Sequence, residues 1–149
     1  MKAIIQRVTA ASVQVDGSSV GEISNGLLIL LGIAPDDNEK DEEYLIQKIT
    51  QMRIFPDHEG KMNRSVLDVG GEILVVSQFT LFAETKKGNR PSFIHGAPPA
   101  MAREKYEHWV NTLKLRFPFK VASGIFGADM KVSLVNDGPV TIAIDSKNP

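Results

Sequence analysis

Residues Leu27 to Ala34 form the longest apolar run of the chain, broken only by Gly32. The run falls far short of the ~20 apolar residues that a membrane-spanning helix needs. It shows no polar–apolar alternation, so an extended segment here has to be covered on both faces. The run therefore predicts a central strand with a layer on each side, and the other elements have to supply those layers.

Lys2 to Val8 and Ser12 to Val15 alternate polar and apolar residues, which predicts two half-buried strands. Asp16-Gly17-Ser18-Ser19 reads as a turn, Ser19 to Ile23 as the return strand and Asn25-Gly26 as a second turn. Pro35-Asp36-Asp37-Asn38 breaks the pattern and offers helix N-cap side chains. Glu39, Asp41, Glu42 and Glu43 follow where negative charge suits a helix macrodipole, and Leu45, Ile46, Ile49 and Met52 fall at helical spacing. This first helix should end near Phe55, because Pro56 disfavours helical geometry just before it. Glu72 to Ser77 predicts a strong strand, and a second helix should run from Ala100 to near Phe117 with Tyr106, Trp109, Val110 and Leu113 on its apolar face. Phe119 to Ser123, Lys131 to Val135 and Val140 to Ile144 predict the closing strands. Two helices cannot cover both faces of so many short strands. The expected solution is helices on one face and a second sheet, or a partner subunit, on the other.

At 149 residues the chain suggests one domain spanning 1–149. It has no cysteine, which excludes disulfides, thiolate metal sites and a Cys nucleophile. With no signal peptide visible after Met1-Lys2, a cytoplasmic location is expected. Seventeen basic and eighteen acidic side chains give a net charge of -1, so any nucleic-acid contact must be local. Lys86-Lys87-Gly88-Asn89-Arg90 is one candidate patch, and Lys114, Arg116 and Lys120 are another. The chain lacks a Gly-rich phosphate loop, a His-Glu-x-x-His pair and a Gly-x-Ser-x-Gly elbow. His58, His95 and His108 are scattered, and no metal, no cofactor, no membrane and no DNA partner is expected.

Two stretches stand out against this background. Asn136-Asp137-Gly138-Pro139-Val140-Thr141 lies between two β-type runs and reads as a hairpin turn, yet its Pro has no N–H to donate. A Gly-Pro bond can also be cis at modest cost, which would aim both carbonyls one way. Ser77-Gln78-Phe79-Thr80 follows a buried strand and precedes the irregular, polar segment Thr85 to Pro99. A nucleophilic Ser77 or Thr80 would need a base within reach, and His95 is the only candidate nearby. On spacing alone, both hydroxyls simply close the strand.

Gln6-Arg7-Val8, Ser77-Gln78-Phe79-Thr80-Leu81, Gly88-Asn89-Arg90-Pro91-Ser92-Phe93 and Asn136 to Thr141, in this order and separation, resemble the D-aminoacyl-tRNA deacylases over essentially the whole chain. The fold class expected is α/β of the α+β kind: a layered α/β/β arrangement of mixed, largely antiparallel sheets forming a barrel-like core, with two main helices. The resemblance implies an enzyme that hydrolyses the ester joining a D-amino acid to the 3′ adenosine of tRNA, and that also clears glycine mischarged onto tRNA for alanine. It implies a homodimer in which a cis Gly138-Pro139 reaches into the partner's pocket and leaves no room for an L side chain. Catalytic residues would be Ser77, Gln78, Phe79 and Thr80, with backbone N–H groups of Gln78 and Phe79 holding the oxyanion. Arg7 would steady the Gly138 and Pro139 carbonyls, and Asn136 and Thr141 complete the chiral-selection set. The rival readings are a non-catalytic tRNA-end-binding module and a generic Ser/Thr esterase using His95.

Overall fold

The apolar run becomes a strand at the centre of a six-stranded mixed sheet in the computed structural model, which describes Met1–Pro149. The chain begins with β1 (Lys2–Val15), β2 (Ser18–Ile23) and β3 (Gly26–Gly32), followed by α1 (Glu39–Gln51). A small hairpin of β4 (Phe55–Pro56) and β5 (Met62–Arg64) leads to β6 (Glu72–Ser77), α2 (Pro99–Arg116), β7 (Val121–Ser123) and β8 (Lys131–Asp145). β3 runs antiparallel to β1 and parallel to β6, and β6 runs parallel to β7. No helix is long and apolar enough to cross a membrane.

β1 organises the sheet. Its first half pairs with β3 and its second half with β2, while β8 pairs along nearly all of it. The two strands expected over residues 2–8 and 12–15 are therefore one strand. Alternation lapses at the exposed Thr9 and Ala10, but β8 pairing carries the strand through, with register shifts around Val8.

The expected layers are present. Ala3, Ile5, Leu27, Ile29, Leu31, Ile73 and Val75 face the helices and pack in one core with Leu45, Ile49, Tyr106, Trp109 and Leu113. Val8, Val13, Ile23, Leu28, Leu74 and Val76 point the other way into a second core. The sheet folds over onto itself to cover that second face. At Gly21 of β2 a Cβ would lie 2.9 Å from the Ser123 carbonyl of β7, so the near-closure of the barrel depends on the missing side chain. The fold is thus α/β/β with a barrel-like core, and the second cover comes from the chain's own sheet.

Helix α1 begins where the sequence predicts. The Asn38 side chain accepts from the Lys40 N–H, and the Asp41 carboxylate reciprocates by accepting from the Asn38 N–H. The helix stops at Gln51, short of the expected Phe55, because Met52 is already extended and Phe55–Pro56 is taken up as β4.

The largest departure from expectation is at the other end of the chain. Lys131 to Val135 and Val140 to Ile144 are not two strands of a hairpin but two parts of β8, both antiparallel to β1. Asn136 lies opposite Val8 and Thr141 opposite Gln6. Asp137, Gly138, Pro139 and Val140 are thus set against Arg7 alone, which makes them a wide bulge in a continuing strand.

Candidate active site

Arg7 supports the bulge from behind. Its side chain is buried; Nε donates to the Asp137 carbonyl at 2.9 Å and Nη1 to the Ile54 carbonyl at 2.5 Å. Nε also lies 3.5 Å from the Asp137 carboxylate, and the guanidinium stands 6.0 Å from the Phe55 ring centroid. The rigid donor fork joins the bulge to the β4 segment. Arg7 thus grips the carbonyl just before Gly138, rather than the Gly138 and Pro139 carbonyls expected from the resemblance.

Asn136 closes the bulge from within. Its Oδ1 accepts from the Val140 N–H at 2.7 Å, while Nδ2 donates to the Val140 carbonyl and to Thr141 Oγ1, both at 3.1 Å. The amide side chain replaces the ladder bonds that β8 loses there. Gln6 Nε2 adds a 3.4 Å bond to Thr141 Oγ1. At the crest, Gly138 and Pro139 are exposed and joined by a cis peptide bond. Gly138 has φ +145°, and a Cβ there would meet Val140 Cγ2 at 2.7 Å and Val140 N at 2.8 Å. Only glycine fits this backbone.

The Ser77 to Thr80 stretch is built differently. Ser77 ends β6, and the Gln78 N–H continues the ladder by donating to the Leu31 carbonyl at 2.8 Å. A 3₁₀ turn over Phe79–Phe82 follows. Gln78 N–H is therefore not a free oxyanion donor, contrary to expectation. The turn opens with Phe79 and Thr80, whose N–H groups have no carbonyl behind them to bond. The Gln78 amide donates to Thr80 Oγ1 at 2.5 Å, which leaves the hydroxyl proton free to point at another acceptor. Phe79 is exposed and packs edge-to-face on Phe93, ring centroids 5.1 Å apart.

His95 is engaged elsewhere. Its Nε2 lies 2.8 Å from Glu84 Oε2, and no hydrogen bond joins it to Ser77 or Thr80. Neither hydroxyl has a base in contact.

The sheet register gives the spacing between the two stretches. Arg7 stands beside Leu27, and Ser77 beside Leu31. Measured along the sheet, four residues of strand rise and three strand spacings (β8 to β1 to β3 to β6) separate the crest from Ser77, where the turn begins, by roughly 19 Å. Two partners have no signal in the sequence: the Ile54 carbonyl on Arg7 and the Phe93 ring on Phe79.

Fold and candidate site together define a layered mixed-sheet protein whose two singled-out stretches expose mostly main-chain groups. Residues 4–145 match the family described as D-Tyr-tRNA(Tyr) deacylase. The chain is 56% identical over 147 residues to the D-aminoacyl-tRNA deacylase of Thermosipho africanus (strain TCF52B), covering 99% of this chain and 98% of that one. It is 55% identical over 147 residues to the D-aminoacyl-tRNA deacylase of Desulfatibacillum aliphaticivorans, covering 99% and 100%. The solved structure of a c-Myc DNA unwinding element binding protein superposes with a TM-score of 0.92 at 42% identity, over 97% of this chain and 98% of that one. A probable eukaryotic D-amino acid tRNA deacylase shares the fold, with a TM-score of 0.78 at 16% identity over 96% and 97%. The chain belongs to the D-aminoacyl-tRNA deacylase family, hydrolases that act on aminoacyl-tRNA.

Proposed function

We propose that this chain hydrolyses D-aminoacyl-tRNA to free D-amino acid and tRNA and spares L-aminoacyl-tRNA, with the Gly138-Pro139 crest of one protomer closing the site of another. One observation carries the chiral part of this reading. The crest is exposed in front and held behind by Arg7 and Asn136, as a rigid wall must be. D and L substrates carry the same groups, so attraction to the side chain discriminates poorly, whereas a backbone wall on the L side excludes by shape. The carbonyls of the exposed Gly138 and Pro139 accept from the substrate's α-ammonium group. The separation of roughly 19 Å within one chain supports completion by a second copy, hence a homodimer.

Water, or the neighbouring 2′-hydroxyl of the terminal adenosine, attacks the ester carbonyl carbon. The N–H groups of Phe79 and Thr80 stabilise the oxyanion of the tetrahedral intermediate. The ester C–O bond then breaks, and the departing 3′-oxygen takes a proton. Where the 2′-hydroxyl attacks, the acyl group moves to the 2′-oxygen and water completes the hydrolysis. Thr80, held by Gln78, orients the attacking or leaving hydroxyl. Glycine has no side chain for the wall to exclude, so glycine on tRNA for alanine is also a substrate. The enzyme needs no metal or cofactor and works in the cytoplasm.

The test is ester loss from matched D- and L-tyrosyl-tRNA. Rapid loss from D alone is expected. Equal rates would remove the chiral wall from the account, and tRNA binding without turnover would replace the enzyme by a binding module.

A further inference from the structure

We infer that the loop tip Lys86-Lys87-Gly88-Asn89-Arg90 receives the phosphates of the single-stranded RNA 3′ end and leads the ester to the Thr80 turn. The inference rests on the proposed reaction for its substrate but on separate residues for its evidence. The loop is a small hairpin: Glu84 and Ser92 exchange backbone bonds of 2.8 and 3.0 Å across its base. One foot continues directly from the turn, where the Ala83 N–H donates to the Thr80 carbonyl at 3.0 Å. The other foot is tied to the end of the central strand, where the Ala97 N–H donates to the Ile33 carbonyl at 2.9 Å. Phe93, on that returning arm, rests on Phe79. The hairpin that carries the tip therefore grows from, and packs its returning arm on, the same turn that presents the free N–H groups.

The tip concentrates charge, with three cations among its five residues. Lys86, Lys87 and Arg90 are all exposed, and none makes an ion pair or a side-chain hydrogen bond. Arg116, Lys147, Lys131, Arg103 and Lys105 are engaged with carboxylates or backbone carbonyls, whereas the other unpaired cations, such as Lys40, Lys48 and Arg53, are spread singly along the sequence. The one acid at the base of the loop, Glu84, is held by His95. Lys2 adds a cation at the turn itself, 5.0 Å from the Phe82 ring. A net charge of -1 gives no general attraction for RNA, so a local cluster of unpaired cations beside an exposed aromatic pair is what would draw in a single strand.

The experiment compares wild type with Lys86→Gln/Lys87→Gln/Arg90→Gln on two substrates, D-tyrosyl-tRNA and D-tyrosyl-adenosine, which has no phosphate. Three single-strand phosphate contacts give a slope of about −2 in log kcat/KM against log salt, or roughly 20-fold between 50 and 200 mM. On the tRNA substrate the triple variant should lose most of that slope and raise KM about tenfold at the lower salt, with kcat little changed. On the adenosine ester it should match wild type, which also shows that the turn is intact. An unchanged slope, or an equal loss on both substrates, overturns the inference. If wild type cleaves neither ester, the proposed reaction fails instead. Filter retention of uncharged tRNA then decides the surface: about tenfold weaker binding by the variant supports it, and equal binding refutes it.

Discussion

Behind Gly138 and Pro139 the backbone is tied down: Arg7 holds the Asp137 carbonyl, and Asn136 takes both the N–H and the carbonyl of Val140. At Thr80 the reverse holds. Two N–H groups open the turn without partners, the threonine hydroxyl keeps its proton, and Phe79 is 60% exposed. The contrast fits the two roles proposed for these stretches. A wall that rejects one enantiomer works only if it cannot yield, so its supports must be buried and satisfied. A site that stabilises a developing oxyanion must keep its donors free until the charge appears.

The most damaging change should be at the crest. Gly138→Ala puts a Cβ within 2.8 Å of Val140 backbone at a φ that suits only glycine. Displacing the crest by an ångström should lower kcat/KM on D-tyrosyl-tRNA by roughly 100-fold. Near-wild-type turnover would show that the crest is not part of the site.

Arg7→Ala tests the support directly. It strands the Asp137 and Ile54 carbonyls, one of them in a buried setting, and should lower unfolding free energy by about 2–4 kcal/mol in urea titration. Arg7→Lys should recover only part of this, because a point charge cannot bridge both carbonyls. Full recovery by lysine would mean that charge, not the donor fork, holds the bulge.

Asp41 asks whether stiffness at the crest is local. It anchors the far end of β8 through Ser146 and Lys147. Burial alone would raise its pKa, but hydrogen bonds from Lys147, Ser146 and the Asn38 N–H lower it to about 2. The folded value lies below the unfolded one, so the stabilisation is complete above about pH 4 and is lost as pH falls through 2. Asp41→Asn should therefore cost about 2 kcal/mol at pH 7, with the gap to wild type closing between pH 4 and 2. At pH 7 its D/L rate ratio should equal that of wild type. A changed ratio would show that the crest depends on distant anchoring.

The smallest effects belong to the open side. Thr80→Ala removes a hydroxyl but leaves its N–H, and should reduce kcat about tenfold, the equivalent of one hydrogen bond. A loss beyond 1,000-fold with the fold intact, of the order seen for a missing oxyanion donor or more, would make Thr80 the nucleophile. His95→Ala removes only an exposed contact to Glu84 and should change kcat/KM less than about twofold. Near-total loss would restore the Ser/Thr esterase reading.

Much of the architecture was legible because it depends on local pattern. Leu27 to Ala34 announced a strand covered on both faces, and the helix-facing and barrel-facing cores are those covers. Asn38 and Asp41 announced the start of α1. The errors came where pairing is remote. Asn136 to Val140 reads as a hairpin turn because that is what Asn-Asp-Gly does when its flanking strands pair with each other. Here both flanks pair with β1, more than 100 residues earlier, so the same residues bulge instead of turning back. Likewise the Gln78 N–H looked free in the sequence, and the parallel register of β6 on β3 gives it the Leu31 carbonyl.

By itself the sequence determined that the central strand is covered on both faces, the two helices and the two candidate stretches, because apolar periodicity, capping and a glycine-proline pair act over a few residues. Only the tertiary structure decided that Asn136 to Thr141 is a braced bulge, that Arg7 grips Asp137, and that Phe79 and Thr80 hold the free donors. Each of those depends on which carbonyl lies opposite which N–H, and that is set by strand register between residues far apart in the chain.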